Sequence, residues 1–330
     1  LAALRAAAKW RPAVAYIAGL AETSKLRRVA YLGTIPVAAE LRDWAQLHHI
    51  DHIHVHSCAT SAHLAALCRL LGGPSYSLTV HGGLNVYGAD HSSKMRHAAF
   101  VSAVTRPLQE EVRQCTGWSE SRIPVVTMGI NAARYKPRQV PAIEGPLRLV
   151  TVGRLCPSKG HRFVLEAMAQ LQRDGIAVHY TIAGNGPHRA NIEQEVARRG
   201  LGDCVSLVGT ISETEVMELL ARSDAFILAS IGHGEAAPVA VMEAMAAGLP
   251  AICSRIGGTP DMIRHNVDGF LVEQRDVAGI VAWIAALATS PQRRQAVGAE
   301  ARQSAVERFD ALETTRQLLD AIRCGSRVEP

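Results

Sequence analysis

Aromatic side chains are scarce, 5% of residues against 48% hydrophobic overall. Alanine and aliphatic residues must therefore fill the core, which suits helices packed closely on a sheet. The chain also lacks any C-x-x-C pair. Its seven cysteines (Cys58, Cys68, Cys115, Cys156, Cys204, Cys253, Cys324) are odd in number and scattered, which excludes a disulfide framework and a zinc ribbon and reads as reduced thiols of a cytosolic protein. No apolar run approaches the roughly 20 residues of a membrane span, so any membrane contact is expected to be peripheral. A net charge of +5 comes without a Lys/Arg run interleaved with aromatics, and nucleic acid is not an expected partner. That charge reads as a solvated basic surface or as attraction to phosphate ligands and an anionic membrane face. The Ala/Arg-rich opening stretch is helical in pattern and contains no apolar signal-peptide core followed by a small-residue cleavage site.

What is present is an alternation of short apolar runs with helical periodicity, repeated in two halves, as parallel βαβ units require. In the first half, helical patterns at 37–47, 61–71 and 107–115 alternate with expected strands at 52–56, 77–80, 100–104 and 125–128. Residues 131–146 carry Pro137, Pro141 and Pro146 with few periodic apolar positions, and they read as a linker. The second half predicts strands at 147–152, 177–183, 205–208, 225–228 and 251–254. Its helices are expected at 159–173, 191–199, 213–222, 277–288, 292–307 and 311–323. Two doubly wound parallel sheets follow, with 330 residues enough for two cores.

The most informative segment runs from Gly234 to Pro250. It sets Glu235 in a Gly-rich loop and Glu243 eight positions on, inside a helix that Pro238 can open. A free helix N-terminus offers unpaired N–H groups to an anion. Two acids beside an anion site suit a ligand with both hydroxyls and phosphates, such as a nucleotide sugar. In Gly153-Arg154-Leu155-Cys156-Pro157-Ser158-Lys159-Gly160, Arg154 leaves a strand and Lys159 enters a helix. Their charges either converge on a pyrophosphate, fork and point charge together, or are surface charges on a turn. Gly184-Asn185-Gly186-Pro187 either lets a ligand approach the backbone or serves a tight turn. His52, His54 and His56 share one strand face. No Cys or acid lies at ligand spacing nearby, so hydrogen-bonded imidazoles are expected in preference to a metal site. His81 ends a strand before a Gly-rich loop, either as a structural imidazole or as one aimed into a crevice. Gly257-Gly258 reads as a turn or as a source of amides for a phosphate.

Gly-Arg-Leu…Lys-Gly, Ala-Gly-Asn-Gly-Pro, the run 225–228 leading to Ser230, Glu-x7-Glu-Ala-Met-Ala-Ala-Gly-Leu-Pro and Gly-Gly-x-Pro-Asp-Met-Ile together resemble the retaining glycosyltransferases of family 4, which have the two-domain GT-B fold. His54-x-His56 and Thr79-Val80-His81-Gly82 resemble the branch that builds bacterial exopolysaccharide, including colanic-acid-type transferases. The resemblance covers 147–309 and, in the first half, 52–135. It implies that Arg154 and Lys159 hold the donor diphosphate, Glu243 accepts from the ribose hydroxyls and Glu235 contacts the donor sugar. Backbone N–H groups of the segment Ala237 to Val239, in which Pro238 itself has none, would complete the phosphate cradle, Gly184 would border the donor, the turn around Gly209 to Ile211 would meet the base, and His81, from the opposite domain, would lie near the reacting centre. Two departures stand out. Ala236-Ala237 replaces the glycine or aromatic common after the first Glu, and the family's opening βαβ unit is not found, so the N-terminal domain is expected to be incomplete.

The resulting expectation is an α/β GT-B protein whose two Rossmann-like domains face one another across a cleft: an acceptor-side domain at 1–137, a nucleotide-sugar domain at 138–309 and a C-terminal helix at 310–330 packing back on the first. The expected function is metal-independent, retaining hexosyl transfer from a UDP- or GDP-sugar to a lipid-linked saccharide or polysaccharide. No cofactor is expected beyond the donor, and the expected location is the cytoplasm or the inner face of the plasma membrane. The competing readings are a catalytically impaired nucleotide-sugar-binding partner of a polysaccharide-assembly complex and a GT-B epimerase.

Overall fold

The computed structural model describes residues 2–136, 145–232 and 235–325. Gly234 and linker residues 137–144, with Pro137 and Pro141, lie outside them. The chain forms two compact units, Leu1–Thr127 with Thr315–Pro330, and Met128–Thr314. The division therefore falls at 127/128, ahead of the proline-rich stretch.

In the first unit three helices (Ala2–Ala18, Lys25–Leu32, Ile35–Leu47) precede β1 (His52–Val55). β2 (Ser75–Val80) and β3 (Val101–Ala103) follow, each reached through helical connections. The three pair in parallel in the order β1-β2-β3. The alternating histidines of β1 form a ladder with the hydroxyls of β2. His52 bonds Ser75 and Ser77, each at 2.7 Å, and His54 bonds Ser77 at 2.7 Å and Thr79 at 2.8 Å. Among the described residues no cluster of three or more His, Cys, Asp or Glu could hold a metal ion. The expected strand at 125–128 is a single bridge, Ala103 to Val125. Ala103 N donates to Pro124 O at 3.0 Å and Val126 N to Ala103 O at 2.9 Å, and since β3 ends at Ala103 the ladder ends there.

Burial pushes three histidines down from 6.5 to about 4: His54, helped by the neighbouring His56, His52 and His81; His63; and, in the second unit, His161. The native state holds them neutral while the unfolded chain protonates them near 6.5. They contribute stability above that pH, and the contribution is lost progressively as pH falls from 6.5 towards 4. The melting temperature is expected to decline across this window, and a flat profile between pH 7 and 4 would contradict the neutral ladder.

The second unit is a six-stranded parallel sheet: β4 (Leu147–Val152), β5 (Val178–Ala183), β6 (Val205–Gly209), β7 (Ala225–Leu228), β8 (Ala251–Ser254) and β9 (Gly269–Val272), in the order β6-β5-β4-β7-β8-β9. The chain winds outward from β4 to β6, returns beside β4 as β7, and winds outward again to β9. Helix His161–Arg173 buries Phe163, Val164, Ala167, Met168 and Leu171 against the sheet, one stripe at helical spacing. Helix Glu213–Ala221 opens with a capping box between Ser212 and Glu215.

β9 is absent from the expected strands. Its four residues are all buried, and the strand opens on a glycine that follows Asp268, a pair that reads as a turn. The strand is positioned by Asp268, which is fully buried and accepts from the Arg264 backbone and side chain and from Ser304.

Candidate active site

The reversal of winding direction between β4 and β7 leaves a crevice outside their carboxyl ends, where ligands of doubly wound sheets bind. The loops after β4, β5, β7 and β8 are stitched together there by backbone bonds. Leu155 N donates to Asn185 O at 3.0 Å, Ile231 N to Ser158 O at 2.7 Å, and Gly258 N to Glu235 O at 3.1 Å. The Gly258 amide is thus committed to the Glu235 carbonyl and not to a ligand. Gly184 adopts φ +136°, and a Cβ there would meet the Gly153 carbonyl oxygen at 1.9 Å. Its glycine is required by the contact between two loops, whatever else approaches it.

Lys159 does not enter the long helix as expected. It ends a single 3-10 turn, Pro157–Lys159, and Gly160 at φ +67° separates that turn from helix His161–Arg173. A Cβ at Gly160 would strike the Ala229 carbonyl oxygen at 1.8 Å, so the break seats the β4 loop against the β7 loop. Lys159 thereby reaches Glu235, 76 residues on, and their side chains form an ion pair. Glu235 Oε1 also accepts from Ser230 Oγ at 2.8 Å, and Glu235 is only 7% exposed. A carboxylate this buried needs such partners. Arg154 is exposed at the crown of the same loop, and its guanidinium makes no ion pair among the described residues.

Pro238 lies one residue before the expected position, as the N-cap of helix Val239–Ala246, and no side chain caps that end. The first amides of the helix are therefore available to an anion. Ala237 and Pro238 are buried and Val239 is half-buried. Ile211 is half-buried in the turn between β6 and helix Glu213–Ala221. Glu243, one turn into helix Val239–Ala246, accepts from Tyr135 Oη at 2.8 Å. Burial pushes its carboxyl up from the usual carboxylate range, Tyr135 opposes the shift, and the negative charge of Glu213 adds to it.

The structure thus gathers Arg154, Lys159, Gly184, Glu235, Ala237, Pro238, Val239 and Glu243 around the carboxyl ends of one sheet. His81 lies in the other unit, directly after β2, where its Nε2 is 3.2 Å from His56 Nδ1 and its pKa is lowered by burial and by His56. Sequence reasoning missed Tyr135, which it placed in the linker, and gave Ser230 no role. Ser230 was detectable as a small polar residue two positions after a fully apolar strand.

Residues 134–304 match the family model described as glycosyl transferases group 1, more than half of the chain. This chain belongs to the group 1 glycosyltransferases. Residues 6–134 match the model of glycosyltransferase family 4. Among relatives, this group 1 member is 34% identical over 210 residues to the amylovoran biosynthesis glycosyltransferase AmsK of Erwinia amylovora, covering 62% of this chain and 52% of AmsK. It is also 34% identical over 177 residues to WcaL of Escherichia coli K12, named for colanic acid biosynthesis, covering 52% of this chain and 44% of WcaL. The chain spans about half the length of these relatives. The crystal structure of HepE from Anabaena in complex with UDP and glucose superimposes with a TM-score of 0.74 at 20% identity, covering 87% of this chain and 81% of HepE. That likeness shows the GT-B fold.

Proposed function

We propose that the protein transfers a hexosyl group from a UDP- or GDP-sugar to a lipid-linked saccharide or polysaccharide, with retention of configuration and without a metal ion. The observation that carries this reading is the Lys159–Glu235–Ser230 cluster beside an uncapped helix N-terminus at the switch point of the sheet. Cleavage of the bond between sugar and diphosphate leaves negative charge on the departing phosphate. Arg154, Lys159 and the first amides of helix Val239–Ala246 are the preorganised positive groups that would meet it. Glu235 and Glu243 would accept from the hydroxyls of the sugar and the ribose. Retention requires the acceptor to attack from the face the phosphate leaves, with its proton passing to the departing phosphate oxygen, and this route needs no protein nucleophile.

The naming of AmsK and WcaL for amylovoran and colanic acid biosynthesis, together with the UDP and glucose bound by HepE, supports a nucleotide-sugar donor and an exopolysaccharide-type acceptor. No described helix is long and apolar enough to cross a membrane; contact with the membrane face belongs to the proposal, as an encounter with a lipid-linked acceptor.

The test is binding and turnover of UDP-, GDP- and ADP-sugars in the presence and absence of a chelator, with Arg154→Ala and Glu243→Ala alongside. One nucleotide class is expected to bind, each substitution to weaken it about tenfold or more, and the chelator to leave transfer unchanged. Equal binding by both variants, or a product that is an epimer of the donor, would refute the assignment.

A further inference from the structure

We propose that Tyr135 is a positioning residue of the donor site, its phenol holding one oxygen of Glu243 so that the other is presented to the ribose hydroxyls of the nucleotide. The inference rests on the reading of Glu243 as the ribose acceptor.

Tyr135 and Glu243 are 108 residues apart, and their bond is not incidental to a mobile side chain. Tyr135 is 4% exposed, and the segment that carries it is pinned to three helices. Arg302, on helix Pro291–Arg308, donates to the carbonyls of Ala132 at 2.9 Å and Tyr135 at 2.7 Å, and also to that of Ala246 at the end of the helix bearing Glu243. Arg134 pairs with Glu213 at the start of helix Glu213–Ala221. Ala132–Tyr135 is therefore a strap fixed from both sides, and the phenol it delivers is the only hydrogen-bond donor to Glu243 among the described side chains.

A carboxylate free to rotate on its side chain can present either oxygen to a vicinal diol. With Oε1 occupied by the phenol, rotation of the group is restricted and Oε2 is the oxygen left to accept from a ligand. The bond also opposes protonation of the group. Burial and the charge of Glu213 favour the protonated form, which is a poorer acceptor, and Tyr135 opposes both. The titratable groups that act on Glu243 from the packed elements are Tyr135 on the strap and Glu213 on its helix; the neighbouring cations are Arg134 on the strap and Arg302 on helix Pro291–Arg308. The two arginines are themselves engaged by Glu213 and by carbonyls.

The experiment is Tyr135→Phe, which keeps the ring and removes only the hydroxyl, with a thermal melt to confirm folding. The KM for the donor and the Kd for UDP and GDP are expected to rise about tenfold, the scale of one hydrogen bond to a charged group, with kcat changed less than about twofold. The acid limb of nucleotide affinity is expected to move to higher pH, since Glu243 loses the partner that favours its ionised form. The 2′-deoxy and 3′-deoxy diphosphates, disfavoured by the native protein, are expected to be discriminated less by the variant. Unchanged KM and acid limb, or a fall in kcat alone, would overturn the proposal while leaving Glu243 in place. If Glu243→Gln itself leaves nucleotide affinity unchanged, the ribose reading fails and this inference with it.

Discussion

Replacing Lys159 by Met is expected to lower kcat by about two to three orders of magnitude, the cost of removing one preorganised charge from a developing oxyanion, and to destabilise the fold as well. The two effects have separate origins. Lys159 is 21% exposed and its partner Glu235 7%, so its loss strands a buried carboxylate. Removing one partner of a fully buried pair costs about 3–5 kcal/mol; water reaching Lys159 and the remaining bond from Ser230 reduce the expected loss to about 1–3 kcal/mol. A double-mutant cycle separates the origins. Adding Glu235→Gln removes the stranded charge while keeping a side chain able to accept from Ser230, so most of the stability should return and the rate should not. Recovery of both would mean that Lys159 acts on catalysis only by holding the loop. Recovery of neither would mean that Glu235 is not the group that Lys159 neutralises.

Gly257→Ala is expected to be the most damaging small substitution in the second unit. Gly257 has φ +53°, and a Cβ there would lie 1.6 Å from the carbonyl oxygen of Glu235. That oxygen belongs to the backbone and cannot swing aside, so the loop holding Glu235 must move. Gly200→Ala supplies the control. Its φ is +66° with nothing within 4 Å of the added carbon, so it pays only the conformational strain, about 1 kcal/mol. The Gly257 variant should lose about 3 kcal/mol or more, a fall in melting temperature of roughly 10 °C at this domain size. Nucleotide affinity should fall with it because the main chain of Glu235 is displaced. Equal melting temperatures for the two variants would show that the Gly257 approach is not a fixed feature of the site.

Most of the second unit's architecture was legible because its signals are local. Strands 147–152, 225–228 and 251–254 are short, mostly apolar runs, and their bounds match the observed β4, β7 and β8. The misses are places where a non-local partner decides. β9 is four residues long and is held by Asp268, whose partners include Ser304 on a distant helix. The expected strand at 125–128 has the right composition, but its parallel neighbour β3 ends at Ala103 and the ladder ends with it. At Lys159, helix propensity continues through Gly160, yet the chain turns because only a glycine fits against the Ala229 carbonyl.

By itself the sequence determined the α/β alternation and the chemical types gathered at the loops that follow its strands: two acids, two cations and a free helix start. These follow from periodicity and from the fixed place of loops in parallel sheets. The tertiary structure alone decided the pairings. Lys159 meets Glu235 across 76 residues, and Tyr135, in a stretch that reads as linker, reaches Glu243 across 108. Charge and hydrogen-bond partners are chosen by distance in space, and for Tyr135 that distance is set by Arg302, whose three carbonyl contacts leave no periodic trace in the chain.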